Sequence, residues 1–152
     1  MSARRFFNSA LVMLALSAAA CGGGDDATGP GPTSGDVSGT YSLTAVRTLG
    51  NLGGGGNGLP VTFIDGGGTH LTFESGTLVL GADGTFDLQV SATFGSSSVT
   101  MTDYGSYSVA GSSITFNSDK STPRLSTGSM SGSTLTANSQ FGGIPFEIDL
   151  QK

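Results

Sequence analysis

An all-β fold, an antiparallel up-and-down meander of eight to ten short strands, is predicted for residues 37–152, and three observations carry the prediction. Apolar and polar residues alternate with period two: Phe86, Leu88, Val90, Ala92 and Phe94 are separated by Asp87, Gln89, Ser91 and Thr93. That is the mark of a strand with one buried and one wet face. No window beyond Cys21 keeps apolar residues at three-and-four spacing for two turns, so the helical signal is missing. Glycine-containing turns also recur before strands, at Ala82-Asp83-Gly84, Ala110-Gly111-Ser112 and Ser131-Gly132-Ser133. Glycine supplies the positive φ that tight hairpins need.

Taken in order, the first strand covers about 39–48 and rests on Tyr41, Leu43 and Ala45. Short apolar runs place the next two at 60–65 and 70–80, the second carrying Leu78 and Leu80 with a break admitted at Gly76. The alternating stretch 84–94 follows, then 100–110 with Tyr107 and Val109, and 112–118 with Ile114 and Phe116. Strands at 125–131 and 133–140, the latter carrying Leu135, lead to 143–151. There Ile144, Phe146, Ile148 and Leu150 alternate with Pro145, Glu147 and Asp149. Short strands at this spacing indicate a sandwich or a barrel.

The N-terminal residues have a different organisation. Arg4 and Arg5 precede an apolar run from Phe6 to Ala20, which ends in three alanines and the chain's one cysteine, Cys21. Positive end, hydrophobic segment and small residues are the layout of a secretory signal. The run is too short for the roughly 20 residues that span a bilayer. A cysteine directly after the small residues resembles the lipobox of bacterial lipoproteins, with Ala18 where that family usually has Leu. The resemblance implies cleavage before Cys21, acylation of its thiol with palmitate-type chains, and anchoring in the cell envelope. The absence of an acid after Cys21 favours the outer membrane by the same analogy. Plain secretion and a retained helix are the alternatives. Arg4-Arg5-Phe6-Phe7 also resembles a twin-arginine signal, the rival to the general secretory route.

Three segments follow: 1–20 as signal peptide, 21–36 as lipidated cysteine and linker, 37–152 as the β domain. The linker, GGGDDATGPGPTSGD from Gly22 to Asp36, is too poor in apolar residues to bury a core and has a reach of roughly 20 Å. The 132 residues left after cleavage suffice for one domain. They carry four Lys and Arg against eleven Asp and Glu, a formal charge of −7. An acidic surface repels nucleic acid and anionic head groups. With no second cysteine the chain has no internal disulfide, so its stability rests on the core.

Eight antiparallel strands can close into a barrel that removes exposed edges. Gly39-Thr40-Tyr41 resembles the lipocalin Gly-x-Trp signature, with Tyr for Trp. Leu80-Gly81-Ala82-Asp83-Gly84-Thr85-Phe86, Gly105-Ser106-Tyr107 and Ile114-Thr115-Phe116 are similar to segments of small lipocalin-like domains of bacterial lipoproteins. The resemblance implies a barrel with an internal ligand site; a two-sheet sandwich is the other fold open to this pattern. Alternation turns Tyr41, Leu43, Phe86, Leu88, Val90, Phe94, Tyr107, Phe116, Phe146 and Ile148 inward as candidate ligand contacts. Leu78, Leu80, Val109, Ile114, Leu135 and Leu150 face inward with them.

No catalytic constellation stands out. His70 is the single imidazole, and a serine nucleophile would need it oriented by Asp65 or Asp103; no Gly-x-Ser-x-Gly elbow occurs. One histidine and scattered carboxylates do not make a zinc site, and Asp83 and Asp87 are better explained by a hairpin and an outward face than by calcium. Neither Leu52-Gly53-Gly54-Gly55-Gly56-Asn57-Gly58 nor Gly66-Gly67-Gly68 is followed by the Lys-Ser/Thr of a phosphate loop. Both suit flexible loops at a barrel mouth. Glu74 and Glu147 offer no placeable carboxylate pair. The expectation is a monomeric, lipid-anchored, non-enzymatic protein without cofactor or metal. Its barrel holds a small apolar or amphipathic molecule or is packed solid as a structural or protein-interaction module.

Overall fold

A computed structural model describes residues 36–152 apart from 51 and 57. The expected signal peptide, Cys21 and the expected linker up to residue 35 lie outside the described residues. The strands are β1 (Gly39–Thr48), β2 (Gly53–Gly54), β3 (Val61–Ile64), β4 (His70–Leu80), β5 (Thr85–Phe94) and β6 (Ser97–Ala110), then β7 (Ser113–Ser118), β8 (Arg124–Ser131), β9 (Thr134–Phe141) and β10 (Ile144–Gln151). Every pairing is antiparallel, and neighbours in sequence are neighbours in the sheet from β2 to β10. The start of β1 pairs with β4, Gly39–Ser42 lying against Thr77–Leu80, and from Ser42 to Thr48 β1 pairs with β10. β1 and β4 to β10 therefore form a closed eight-stranded barrel. Closure excludes the sandwich, and the up-and-down meander is the lipocalin-like architecture expected.

Local chemistry accounts for the elements. β5 keeps strict alternation, with Phe86, Leu88, Val90 and Ala92 buried and Asp87 and Gln89 exposed. The hairpins turn on Gly111 and Gly132, at φ 62° and 60°, a left-handed conformation that costs glycine little. Gly105 lets β6 and β7 approach, since a side chain there would strike the Asn117 carbonyl. Leu78, Leu88, Leu135, Ile148 and Leu150 are fully enclosed, and burying each stabilises by about 1.5–3 kcal/mol.

Three bulges shift the faces. In β1 the register slips between Leu43 and Ala45, so Val46, opposite Ile148, follows Leu43 on the inner wall and Ala45 sits opposite Asp149. Ala45 is buried, as its place in the alternating series suggests, but the bulge hands the inward position to Val46, because one extra residue reverses the faces beyond it. Slips between Phe73 and Ser75 in β4 and between Leu125 and Gly128 in β8 do the same. They place Phe73 and Leu125 in the core. β2 has no sequence counterpart, and β6 starts three residues before the expected position.

Candidate functional site

The two ends of the barrel are built differently. Asp36, Lys152 and the short turns 81–84, 111–112 and 132–133 share one end. Tyr41 donates its hydroxyl to the Val37 carbonyl at 2.5 Å, Tyr107 donates to the Gly81 carbonyl at 2.7 Å, and Lys152 Nζ donates to the Ser38 carbonyl at 2.5 Å. These bonds tie the chain across the closed end. The segments 49–50, 52–56, 58–60, 65–69, 95–96, 119–123 and 142–143 gather at the other end, which is open.

A cleft of about 540 Å³ occupies that open end. Phe63 and Leu71 line it from β3 and β4, with Asp65 and Thr69 from the turn between them. Phe94, Val99 and Met101 of the β5–β6 hairpin face them. Leu52, Thr122, Pro123, Phe141, Gly142 and Ile144 complete the wall. Below lies a cluster of four phenylalanine rings: Phe73 and Phe146 pack on Phe63 and Phe141 with centroids 5.1–5.9 Å apart. Edge-to-face contacts of this kind add to simple burial, giving the cleft a rigid apolar floor.

Two seams in the wall flank the cleft. β3 takes over the edge of β4 over His70–Phe73, where β1 has turned away to β10. On the far side β6 pairs with β7 only from Gly105 onward, so Ser97–Tyr104 has a strand partner on the β5 side alone. Asp103 sits in this second seam, fully buried. Its Oδ1 accepts from the Ser118 hydroxyl, and its Oδ2 accepts from the Leu125 N–H at 2.7 Å. The carboxylate thus does for Leu125 what a ladder carbonyl does elsewhere. Burial pushes its pKa above the ordinary carboxylate value, against the hydrogen bonds from Ser118 and Leu125. Ser139, opposite Leu125 in the register, is also buried, and its hydroxyl has no partner among the described residues. The Gly142 N–H donates to Thr122 Oγ1 at 2.8 Å, fastening the 119–123 segment to the β9–β10 turn.

The candidate ligand contacts fall into three groups. Tyr41, Leu43, Phe86, Leu88, Val90, Phe116, Phe146 and Ile148 are buried against one another and fill the barrel. Tyr107 is half-buried beside the closed end. Phe94 is 52% exposed and is the one member of the group that lines the cleft. Alternation identifies the wall facing the axis; it does not say how far along the axis the filling stops. Residues lining the cleft come from the ends of several elements, and only Phe94 and Ile144 belong to a clear alternating series.

Both glycine-rich loops reach the mouth, through Leu52 and through Asp65 and Thr69. Asp65 Oδ1 accepts from the Gly67 and Thr69 N–H groups at 2.9 and 2.8 Å, which hold its pKa below the usual carboxylate range. His70 is exposed on β4, opposite Ile64. The bonds of Asp103 run to Ser118 and Leu125 and those of Asp65 to its own turn. Cys21 lies outside the described residues. Among those residues no three His, Cys, Asp or Glu side chains are grouped to hold a metal ion. No protein-family model, curated protein or solved structure matches the chain.

Proposed function

We propose that this chain is a lipid-anchored protein of the bacterial cell envelope, held at the outer membrane through Cys21, whose barrel binds a small apolar or amphipathic molecule without chemical turnover. The apolar cleft of about 540 Å³ at the open end carries the reading. Its size lies within the range of small-molecule sites, which are concave, mostly apolar and fixed by a few polar groups. The binding place is the mouth, above the phenylalanine floor, rather than the packed axis of the barrel. The linker joins the domain at Asp36, at the opposite end, and so leaves the mouth clear of the anchor. Two or three acyl chains, each buried methylene adding about 0.8 kcal/mol, suffice to hold such a protein on a bilayer. The protein acts as a monomer.

Native mass spectrometry of the domain, made as residues 22–152 in a periplasm and purified gently, tests the binding reading. A reproducible added mass, lost in Val99→Asp at the rim of the cleft, is the expected result. A bare mass, unchanged after exposure to envelope lipid extract, overturns it. The second reading, a structural or protein-interaction module, then takes its place; the filled barrel axis favours it. For the anchor, Cys21→Ser is expected to move the protein from the membrane fraction to the soluble fraction.

A further inference from the structure

The cleft lining has a charge asymmetry that speaks to the ligand's chemistry. Asp65 is the one charged side chain among the described residues that line it. Its hydrogen bonds from Gly67 and Thr69 both land on Oδ1, which leaves the acceptor capacity of Oδ2. These bonds keep the carboxylate ionised at neutral pH. None of the domain's four Lys and Arg side chains lines the cleft, although Lys120 and Arg124 belong to the open end. Arg47 bonds Glu147 and Asp149 on the outer wall, and Lys152 bonds Ser38 at the closed end. Lys120 lies 5.0 Å from the centre of the Tyr104 ring. Arg124 is opposite Gln140, exposed next to the inward-facing Leu125. An anionic head group would therefore meet a carboxylate and no lining cation. A positive one would meet that carboxylate together with Phe63, Phe94 and Phe141, and aromatic faces attract cations, quaternary ammonium groups above all.

We infer that the cleft selects a cationic amphiphile, an amine or quaternary ammonium group on a hydrocarbon tail, with the head at Asp65 and the tail over the phenylalanine floor. The inference rests on the reading of the cleft as a ligand site and adds the class of ligand. The tail is held by apolar contact, which carries most of the affinity. Asp65 and the aromatic rings supply the discrimination of charge.

Three twelve-carbon probes below their micelle concentrations, added to residues 22–152 and followed by isothermal titration calorimetry, test this: dodecyltrimethylammonium, dodecanoate and dodecyl maltoside. This part of the chain contains the whole closed barrel and its core. The expected result is binding of the ammonium probe at least about fivefold tighter than dodecanoate, with the advantage shrinking as salt is raised. Asp65→Asn keeps the Oδ1 acceptor of the turn and should abolish that advantage while leaving dodecyl maltoside unchanged. Asp87→Asn removes the same charge from the outer wall and should leave the advantage intact; if it acts like Asp65→Asn, general attraction to an acidic protein is the cause and the inference fails. Equal binding of cationic and anionic probes overturns the inference but leaves the cleft as a binding site. Binding of none of the three overturns both.

Discussion

At its closed end the barrel is an unbroken ring of backbone hydrogen bonds, from Gly39 on Leu80 round to Gln151 on Ser42. At its open end two seams appear, where β1 leaves β4 and where β6 runs beyond its pairing with β7 and meets β8 only through Asp103 and Leu125, and apolar side chains reach the surface. Of the exposed large apolar residues among those described, Leu49, Ile64, Phe94 and Val99 belong to the open end, while Val79 lies on the outer wall near the closed end. One sequence thus builds a sealed base and an incomplete rim. Backbone pairing and core packing coincide at the base, whereas at the rim packing continues without the ladder. Stability should therefore be concentrated at the base and binding at the rim.

The largest effect that would break this comparison comes from truncating one apolar residue at each end. Leu150→Ala, fully buried between Leu43 and Leu135 in the register, is expected to cost about 2–5 kcal/mol through lost burial and a cavity. Phe94→Ala removes a larger side chain that is 52% exposed. It should change stability by less than about 1 kcal/mol while weakening any ligand of the cleft. Urea unfolding of the two variants checks this. A cost for Phe94→Ala as large as that for Leu150→Ala would make the rim part of the core.

The same contrast explains how much was legible in the sequence. Period-two patterning reads correctly along unbulged stretches, giving Phe86 to Ala92 of β5 and Phe146 to Leu150 of β10 as inward residues, although it carries the series on to Phe94, which is exposed at the cleft. It fails past a bulge, because one inserted residue exchanges the faces. Val46, Phe73 and Leu125 were missed for that reason. Phe141 was hidden differently: Ser139 occupies the inward position two residues before it and breaks the apolar series. The cleft was the least legible feature. Its walls come from residues far apart in sequence, and its existence depends on where strands part, which no local pattern encodes.

The β6–β8 seam offers a smaller and more specific test. Asp103→Ala leaves the Leu125 N–H without its acceptor, and a buried unpaired donor costs about 1–3 kcal/mol. If the carboxylate closes the seam, hydrogen exchange should accelerate first at Leu125 and the neighbouring 119–124 segment, while the closed end keeps its protection. Uniform acceleration through the barrel would mean that the seam is not an independent unit.

The subtlest effect concerns pH, and it separates the seam from the outer wall by sign. Asp149 receives two hydrogen bonds from Arg47 at 2.7 Å, which hold its pKa below the ordinary value, with Thr136 contributing. Its native state binds protons less readily than the unfolded chain. Its stabilisation is therefore present above the unfolded carboxylate pKa and lost as pH falls through the lowered native one. Asp103 behaves oppositely. Burial raises its native pKa, so between the unfolded value and the raised one the folded protein holds a proton that the unfolded chain has released. Stability from this group falls as pH rises through that window. Measured against wild type in a pH series of urea midpoints, Asp149→Asn should lose its relative deficit toward acid, because wild type forfeits the Arg47 pairing there. Asp103→Asn, which never ionises, should gain on wild type as pH rises from the ordinary carboxylate value. A common slope for the two variants would mean that the seam carboxylate is as well solvated as the outer wall, and that the open end is wet down to Asp103.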